Sequence, residues 1–514
     1  MPESGDKGRL IGENLGVSTP DVDSATIPEL NRLLSSGELT SVELTSAYLE
    51  RIRTVDPLLR AVLFVDPSAL VQAAASDRRR AGGRPLGPLD GIPVLLKDNI
   101  DTRDLPTTAG SRVLLVAPPA RDAHLVRKLR AAGAVILGKT NLSEWANFRS
   151  THSTSGWSAV GGQTVNPHVL DRNPSGSSSG SGVAVAASLA QVAIGTETDG
   201  SIVGPGGANG VVGYKPTVGL VSRAGVVPIS GEQDTPGPMA RHVVDAAITM
   251  SVLQGRDPDD PATAEAPADQ VTDYVARLDP DVLRGARIGI WHVPHEGDAI
   301  GAIMKSVVHI LEAAGATVIP VTLPYAEKIG DDELPAMWAE FRHDLEAYLA
   351  TRTGAPATFA ELIEFNKQDP VELSLFPQDH FEHAAGAPPL TDPEYRGQRE
   401  RATDRARRSI DQTLETEGVD VIIAPSNAPA WLIDYYPAGD RDIIGSSSPA
   451  AVAGYPTITV PAGFVGPLPV GVSFFASRFQ DAKVLAFAHA FEQKSNARRP
   501  PKYLPTLAEP TAAD

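Results

Sequence analysis

The sequence predicts an α/β fold, a sheet rich in parallel strands with helices on its faces, and three observations carry that expectation. Strand and helix patterns alternate along most of the chain. Residues 287–291, 300–314 and 317–321 read as one strand, helix, strand unit of the kind that builds parallel sheet. Residues 182–189, almost all Ala and Val, make a helix that is apolar on every side and therefore has to be buried.

Taken in order, Thr40-Ser41-Val42-Glu43 has capping-box spacing, and Val42, Leu44, Tyr48, Leu49 and Ile52 recur at helical intervals up to an expected stop at Pro57. Residues 61–65 read as a strand and 68–80 as a helix. Gly82-Gly83, Pro85 and Gly87-Pro88 then turn the chain into the apolar strand Ile92-Pro93-Val94-Leu95-Leu96-Lys97. A helix over 122–132 and a buried strand over 134–137 follow, and the second capping box, Asn141-Leu142-Ser143-Glu144, predicts another helix. After the apolar helix, 192–194 is a central strand, 211–233 is loop with short strands, and 243–253 is helix. The Pro/Ala/Asp stretch 257–269 has the composition of a surface linker. Residues 331–417 are mainly helical around a loop at 370–393, an insertion of the sort that shapes a substrate cleft. Strands at 419–424, 457–460 and 470–474 and a helix at 480–493 complete the pattern. The expected organisation is an N-terminal tail (1–24), a single domain over 25–500 and a C-terminal tail (501–514). Within the domain lie a core at 60–255, a linker at about 256–285 and the helical insertion at about 331–417.

Composition narrows the function. The chain is 42% hydrophobic and 21% charged, as a globular protein is, and its net charge of −18 argues against a broad cationic surface for nucleic acid. The absence of cysteine removes disulfides, thiolate metal sites and cysteine nucleophiles, and leaves the redox compartment undecided. Residues 1–20 carry no apolar run of leader length, and no stretch approaches the roughly 18 apolar residues of a membrane span. No membrane association is expected. A cytoplasmic location is preferred, with a secreted or periplasmic mature form left open.

The chemistry concentrates on two small-residue turns around the apolar helix: Gly176-Ser177-Ser178-Ser179-Gly180-Ser181, and Gly195-Thr196-Glu197-Thr198-Asp199-Gly200-Ser201-Ile202. Serine is a weak nucleophile that needs a base within hydrogen-bond reach. The 11 histidines fall in no HExxH or comparable spacing and read as surface or satisfied side chains. Lysine is the remaining candidate, and Lys97 closes an apolar strand, where burial would hold it neutral at about 1.4 kcal/mol per unit of pKa lowering. Most of the other lysines lie among polar residues on expected surfaces. A Gly/Ser stretch is usually a flexible linker, but here a buried helix starts directly after Gly180 and holds it to the core. Anion binding at that helix start is a competing reading. Another is the G-x-S-x-G elbow, with Ser178 as nucleophile; it needs a strand immediately before it, and residues 166–174 carry two prolines and no strand pattern. In the second turn, Gly200 lets the backbone approach a substrate, and successive N–H groups can form an oxyanion hole.

These motifs resemble the amidase signature family. The family's Gly-Ser-Ser-Gly-Gly-Ser, Gly-Thr-Asp-Thr-Gly-Gly-Ser-Ile and Gly-x-Lys-Pro-Thr appear at 176–181, 195–202 and Gly213-Tyr214-Lys215-Pro216-Thr217. Asp90-Gly91-Ile92-Pro93 before Lys97 and Asp234-Thr235-Pro236-Gly237-Pro238 extend the match, which runs from about residue 90 to 245 with weaker support to about 495. The resemblance implies a large central mixed, mostly parallel twisted sheet covered by helices on both sides. It further implies Ser201 as acyl-forming nucleophile, Ser177 as bridging serine after a cis Gly176-Ser177 bond, and Lys97 as base. The backbone N–H groups of Thr198, Asp199, Gly200 and Ser201 would receive the oxyanion, with no metal or organic cofactor. Two departures, Asp199 for a glycine and Val203 for an arginine, together with residues 141–149 and Gly161-Gly162-Gln163-Thr164, are most similar to the peptide amidases. Those enzymes hydrolyse the C-terminal carboxamide of peptides and spare internal bonds. The expected substrate is therefore a small peptide amide or another amide, without an obligate partner chain. The alternatives are a general aliphatic or aryl amidase, the glutaminase subunit of a tRNA-dependent amidotransferase, and an inactive member that binds peptides or anions. The residues lining the substrate pocket are not legible in the sequence.

Overall fold

A computed structural model describes residues 21–291, 298–435 and 446–507. Most of the expected N-terminal tail, and the last seven residues of the C-terminal one, lie outside the described residues. Among the described residues, thirteen strands occur in chain order: β1 Val62–Val65, β2 Pro93–Lys97, β3 Val135–Thr140, β4 Trp157–Ser158, β5 Gly162–Gln163, β6 Val192–Glu197, β7 Val212–Lys215, β8 Thr235–Ala240, β9 Arg287–Ile290, β10 Thr317–Pro320, β11 Val421–Pro425, β12 Thr457–Val465 and β13 Leu468–Phe475. β4 and β5 pair only with each other, and the other eleven form one mixed sheet in the order β1-β3-β2-β6-β8-β7-β12-β13-β11-β9-β10.

The parallel pairs stand in two blocks, β3-β2-β6 and β11-β9-β10, separated by antiparallel strands. In the first block Leu96 sits beside Ile194, so β2 and β6 end next to each other. Ligands of open α/β sheets bind outside the carboxyl ends of parallel strands, and here those ends carry Lys97 and the Thr196 to Ser201 turn. The expected apolar helix is Ser179–Ala186, buried at every position, and it runs back from the first serine turn to β6. The expected strand, helix, strand unit is β9, Ala299–Ala313 and β10, with its two strands parallel.

Several local expectations are corrected. The first capping-box helix, Ser41–Leu59, runs through Pro57, because a proline this near the end forfeits one hydrogen bond; Arg60 at φ 53° closes the helix with its N–H on Asp56 O at 2.7 Å. The second capping box starts no long helix. Residues Glu144–Asn147 form a kinked turn in which Trp145 and Ala146 take the left-handed φ 53° and 54°, and the Glu144 carboxylate accepts from Ala159 N–H at 2.7 Å instead of capping its own turn. An unforeseen helix, Asp379–Gly386, stands inside the loop expected at 370–393. The stretch expected as a linker is packed down: Arg223 binds Asp260 at 2.6 Å, Thr263 is buried, and Tyr274 is wholly buried.

β8 was hidden by its prolines, which are rare inside sheets. It pairs with β6 over its full length but with β7 only at Met239 and Ala240, so Pro236 and Pro238 stand beyond the paired rungs on that side of the ladder. Among the described residues, no helix is long and apolar enough to cross a membrane.

Candidate active site

Lys97 is wholly buried, and its Nζ donates to Ser177 Oγ at 2.8 Å and to Thr196 Oγ1 and O at 2.9 and 3.2 Å. Asn99 fixes the Thr196 hydroxyl from the other side, Nδ2 to Oγ1 at 2.9 Å. Burial pulls the Lys97 pKa down to about 7, against the opposing charges of Asp234 and Glu197. The expectation that most other lysines are surface groups does not extend to Lys139 and Lys215, which are also wholly buried. Their surroundings separate them from Lys97. Lys139 is ion-paired with Asp98 at 3.2 Å and bonded to three further oxygens, Ile100 O, Pro106 O and Thr107 Oγ1. Lys215 is pulled down only to about 8, with Glu197, Asp481 and Asp199 holding its charge. Among the described residues, neither Lys97 nor Lys215 has a carboxylate within ion-pair distance; Lys215 Nζ donates to Pro216 O, and Lys97 alone of the three bonds to a serine hydroxyl.

The first serine turn is clamped atom by atom. The Gly176–Ser177 peptide bond is cis, and a Cβ at Gly176 would run into the hydroxyls of Ser143, Ser155 and Ser179. Ser177 O accepts from Ser143 N–H at 3.1 Å. Ser178, the nucleophile of the elbow reading, is buried and spent on the sheet: its hydroxyl donates to Thr196 O at 3.0 Å and accepts from Thr196 N–H at 3.2 Å. Ser178 N–H donates to Ser201 O at 3.1 Å, which ties the two turns together.

The second turn is shaped from below by Glu197, a residue whose part the sequence did not reveal. Its Oε2 accepts from Ile202 N–H at 2.7 Å and Val203 N–H at 3.0 Å, at the start of the short helix Val203–Ala208. Gly200 takes φ 78°, the left-handed conformation a side chain disfavours. Thr198 is held through its hydroxyl by Asp234 at 2.5 Å, and Asp234 also accepts from Ile229 and Ser230 N–H. Among the described residues, the N–H groups of Asp199, Gly200 and Ser201 donate to no protein acceptor, so they are available to an anionic oxygen.

Ser201 opens on a cavity of about 380 Å³, whose wall includes Gly176, Thr198, Asp199 and Gly200. Ala146, Phe148, Ile229, Met337 and Trp431 make an apolar side, and the helical insertion delivers Glu333, Leu334 and Met337 from its helix Gly330–Leu349. The pocket-lining residues thus come from segments far apart in sequence, brought in by tertiary packing; the only advance signal was the expectation that the insertion shapes a cleft. A desolvated amine next to one hydroxyl, a second hydroxyl on a cavity wall and unpaired N–H groups beside it can move a proton, form an ester and hold an oxyanion.

Comparison with known proteins bears on this arrangement. The model of the Amidase family matches residues 43–485. A probable amidase of Arabidopsis thaliana is 40% identical over 503 residues, covering 95% of this chain and 93% of the relative. Native peptide amidase from Stenotrophomonas maltophilia is 48% identical, with a TM-score of 0.89 over 94% of this chain and 99% of that one. The glutamyl-tRNA(Gln) amidotransferase of Salinispora arenicola contributes a relative as well, one of its subunits being 36% identical over 505 residues, 94% of this chain and 99% of the relative.

Proposed function

The chain belongs to the amidase signature family and is a hydrolase of carbon–nitrogen amide bonds, and we propose that it removes the C-terminal carboxamide of peptides. One observation carries the chemistry: a buried lysine without a carboxylate partner, its pKa lowered to about 7, sits 2.8 Å from a serine whose turn is tied to the turn of Ser201. The substrate assignment is supported by the 48% identity to a peptide amidase over nearly both chains.

In this reading neutral Lys97 draws a proton through Ser177 from Ser201 as Ser201 Oγ attacks the carboxamide carbon. The N–H groups of Thr198 to Ser201 receive the oxyanion, Thr198 being positioned by Asp234. The relay returns the proton to the leaving nitrogen, and ammonia departs. Water, activated by the same pair, then splits the Ser201 ester to a free carboxylate. Lys97, Ser177 and Ser201 are the catalytic residues of this proposal.

The deciding assay is ammonia release from a panel of peptide amides, simple aliphatic and aryl amides, and glutamine. Peptide amides should react with the highest kcat/KM, and internal peptide bonds should stay intact. Exclusive reaction with glutamine, together with a copurifying partner chain, would move the assignment to the amidotransferase component that the 36% relative represents.

A further inference from the structure

Among the described residues, the cavity beside Ser201 is lined by charge of one sign. Among its described lining residues the only ionisable side chains are two carboxylates, Asp199 and Glu333, and no cation faces them across the space. Both are built into the wall. Ser447 Oγ donates to Asp199 Oδ1 at 2.6 Å. Gln233 Nε2 donates to Glu333 Oε1 at 2.9 Å and to Thr198 O at 3.3 Å, and Gln233 is itself fixed by Arg399 Nη1 on its Oε1 at 2.6 Å. Arg399 is spent on Glu340, at 2.6 Å, on the far side of that chain. A ligand in the cavity therefore meets two carboxyl groups directly, while the Arg399 guanidinium and the Lys215 amine act on them from outside the lining.

We propose that Asp199 and Glu333 are specificity-determining residues that keep carboxylate-ended peptides out of the Ser201 cavity, so that the site accepts the uncharged carboxamide and sheds the acid it makes. The inference rests on the reading of the cavity as an amide-hydrolysing site. Hydrolysis turns a neutral carboxamide and water into a carboxylate anion and ammonium, so substrate and organic product differ at the reacting end by one negative charge and little in shape. The carboxamide presents one oxygen and an N–H donor where the carboxylate presents two acceptor oxygens, so charge and hydrogen-bond polarity both separate them, and the carboxylate pair acts through charge. An arginine at the mouth of such a cavity would hold the product; a carboxylate pair repels it.

The titration of the pair supports this division. Burial and the Asp199 charge push Glu333 up to about 8, against Gln233 and Arg399, with Glu340 adding to the rise. Burial also raises Asp199, against the Ser447 and Ser448 hydroxyls and Lys215. A raised carboxyl is charged above its pKa, so Glu333 adds its repulsion above about pH 8.

The test compares a matched pair, an amide the enzyme turns over and its corresponding acid as competitive inhibitor. The ratio of the acid's Ki to the amide's KM is read for wild type and Glu333→Gln at pH 9 and pH 6.5. At pH 9 the variant should lower that ratio by about tenfold, the effect of removing one close like charge. At pH 6.5, where Glu333 already holds a proton, wild type and variant should agree within about threefold. Lys97 also loses its charge over this range, but in both proteins alike, so only the difference between them reports on Glu333. Equal ratios at pH 9 would overturn the proposal. Should Glu333→Gln fail to fold, Glu333→Met takes its place with the same two outcomes. Since any amide and acid pair serves, failure on peptide amides would sink the substrate assignment while leaving this comparison readable.

Discussion

Lys97 Nζ lies 2.8 Å from Ser177 Oγ with no carboxylate in ion-pair range, whereas Lys139, also wholly buried one strand away, lies 3.2 Å from Asp98. The same residue type, in the same sheet, thus stands in two different surroundings: burial lowers the pKa of both, and the Asp98 charge opposes it directly at Lys139. A carboxylate beside a buried amine favours its charged form against desolvation; an amine left without such a partner gives up its proton more easily and can serve as base.

The contrast sets the first prediction. Lys139→Met strands Asp98 in the interior and should cost about 3–5 kcal/mol of stability, the penalty for breaking a buried pair. Lys97→Met removes an amine of similar volume with no carboxylate left behind, so it should change stability by less than about 1.5 kcal/mol. Its kcat for ammonia release should nevertheless fall on the order of 10²- to 10⁴-fold. Urea unfolding and the ammonia assay on both variants measure the four numbers, and a folded Lys97→Met enzyme with near-normal turnover would remove Lys97 from the mechanism.

A second prediction concerns pH. With the Lys97 pKa lowered to about 7, the base is protonated and inactive below that value and free above it. The profile of kcat/KM should therefore have an acidic limb that falls about tenfold per pH unit below pH 7, and a plateau on the alkaline side. A limb near pH 4 to 5 would point to a carboxylate as the working base.

The third prediction locates the acyl group. Acid quenching during turnover, followed by peptide mass mapping, should place the adduct on Ser201, and Ser201→Ala should abolish it. Ser178 is saturated by its two bonds to Thr196, so Ser178→Ala should retain the adduct even where it loosens the turn. An adduct on Ser178 would restore the elbow reading.

Much of the site's neighbourhood is legible in the sequence because its reactive side chains sit at the ends of apolar runs. Leu96 and Ile194 mark two buried strands, and whatever follows them must emerge together at one sheet edge, as Lys97 and the 196–201 turn do. Other parts were hidden for physical reasons. Asn141-Leu142-Ser143-Glu144 carries a helix-start pattern, yet Glu144 is claimed by Ala159 N–H and by Arg149 at 3.1 Å, tertiary partners that local spacing does not disclose. Pro236 and Pro238 suppress a strand signal at positions beyond the paired rungs with β7. Glu333 and Ser447 reach the cavity from segments more than 100 residues beyond Ser201, and nothing local in their own segments marks them as cavity residues.

The last prediction follows from Glu197, which acts on the site in two separable ways. Its carboxylate accepts from the N–H groups of Ile202 and Val203 and so fixes the backbone just after Ser201. Its negative charge also holds the Lys97 pKa higher than burial alone would leave it. Glu197→Gln should weaken the turn and cost about 1–3 kcal/mol, as expected for losing a buried charged acceptor, and kcat should fall because the oxyanion donors share that backbone. At the same time, removing the charge should let Lys97 lose its proton more easily, so the acidic limb of kcat/KM should move to a pH below that of wild type. Looser structure alone would let water reach the amine and move the limb upward, toward the value of an exposed lysine. The direction of that shift, measured beside the urea midpoint, therefore separates an electrostatic role from a purely mechanical one: a limb that stays put or moves up in Glu197→Gln would limit Glu197 to shaping the turn.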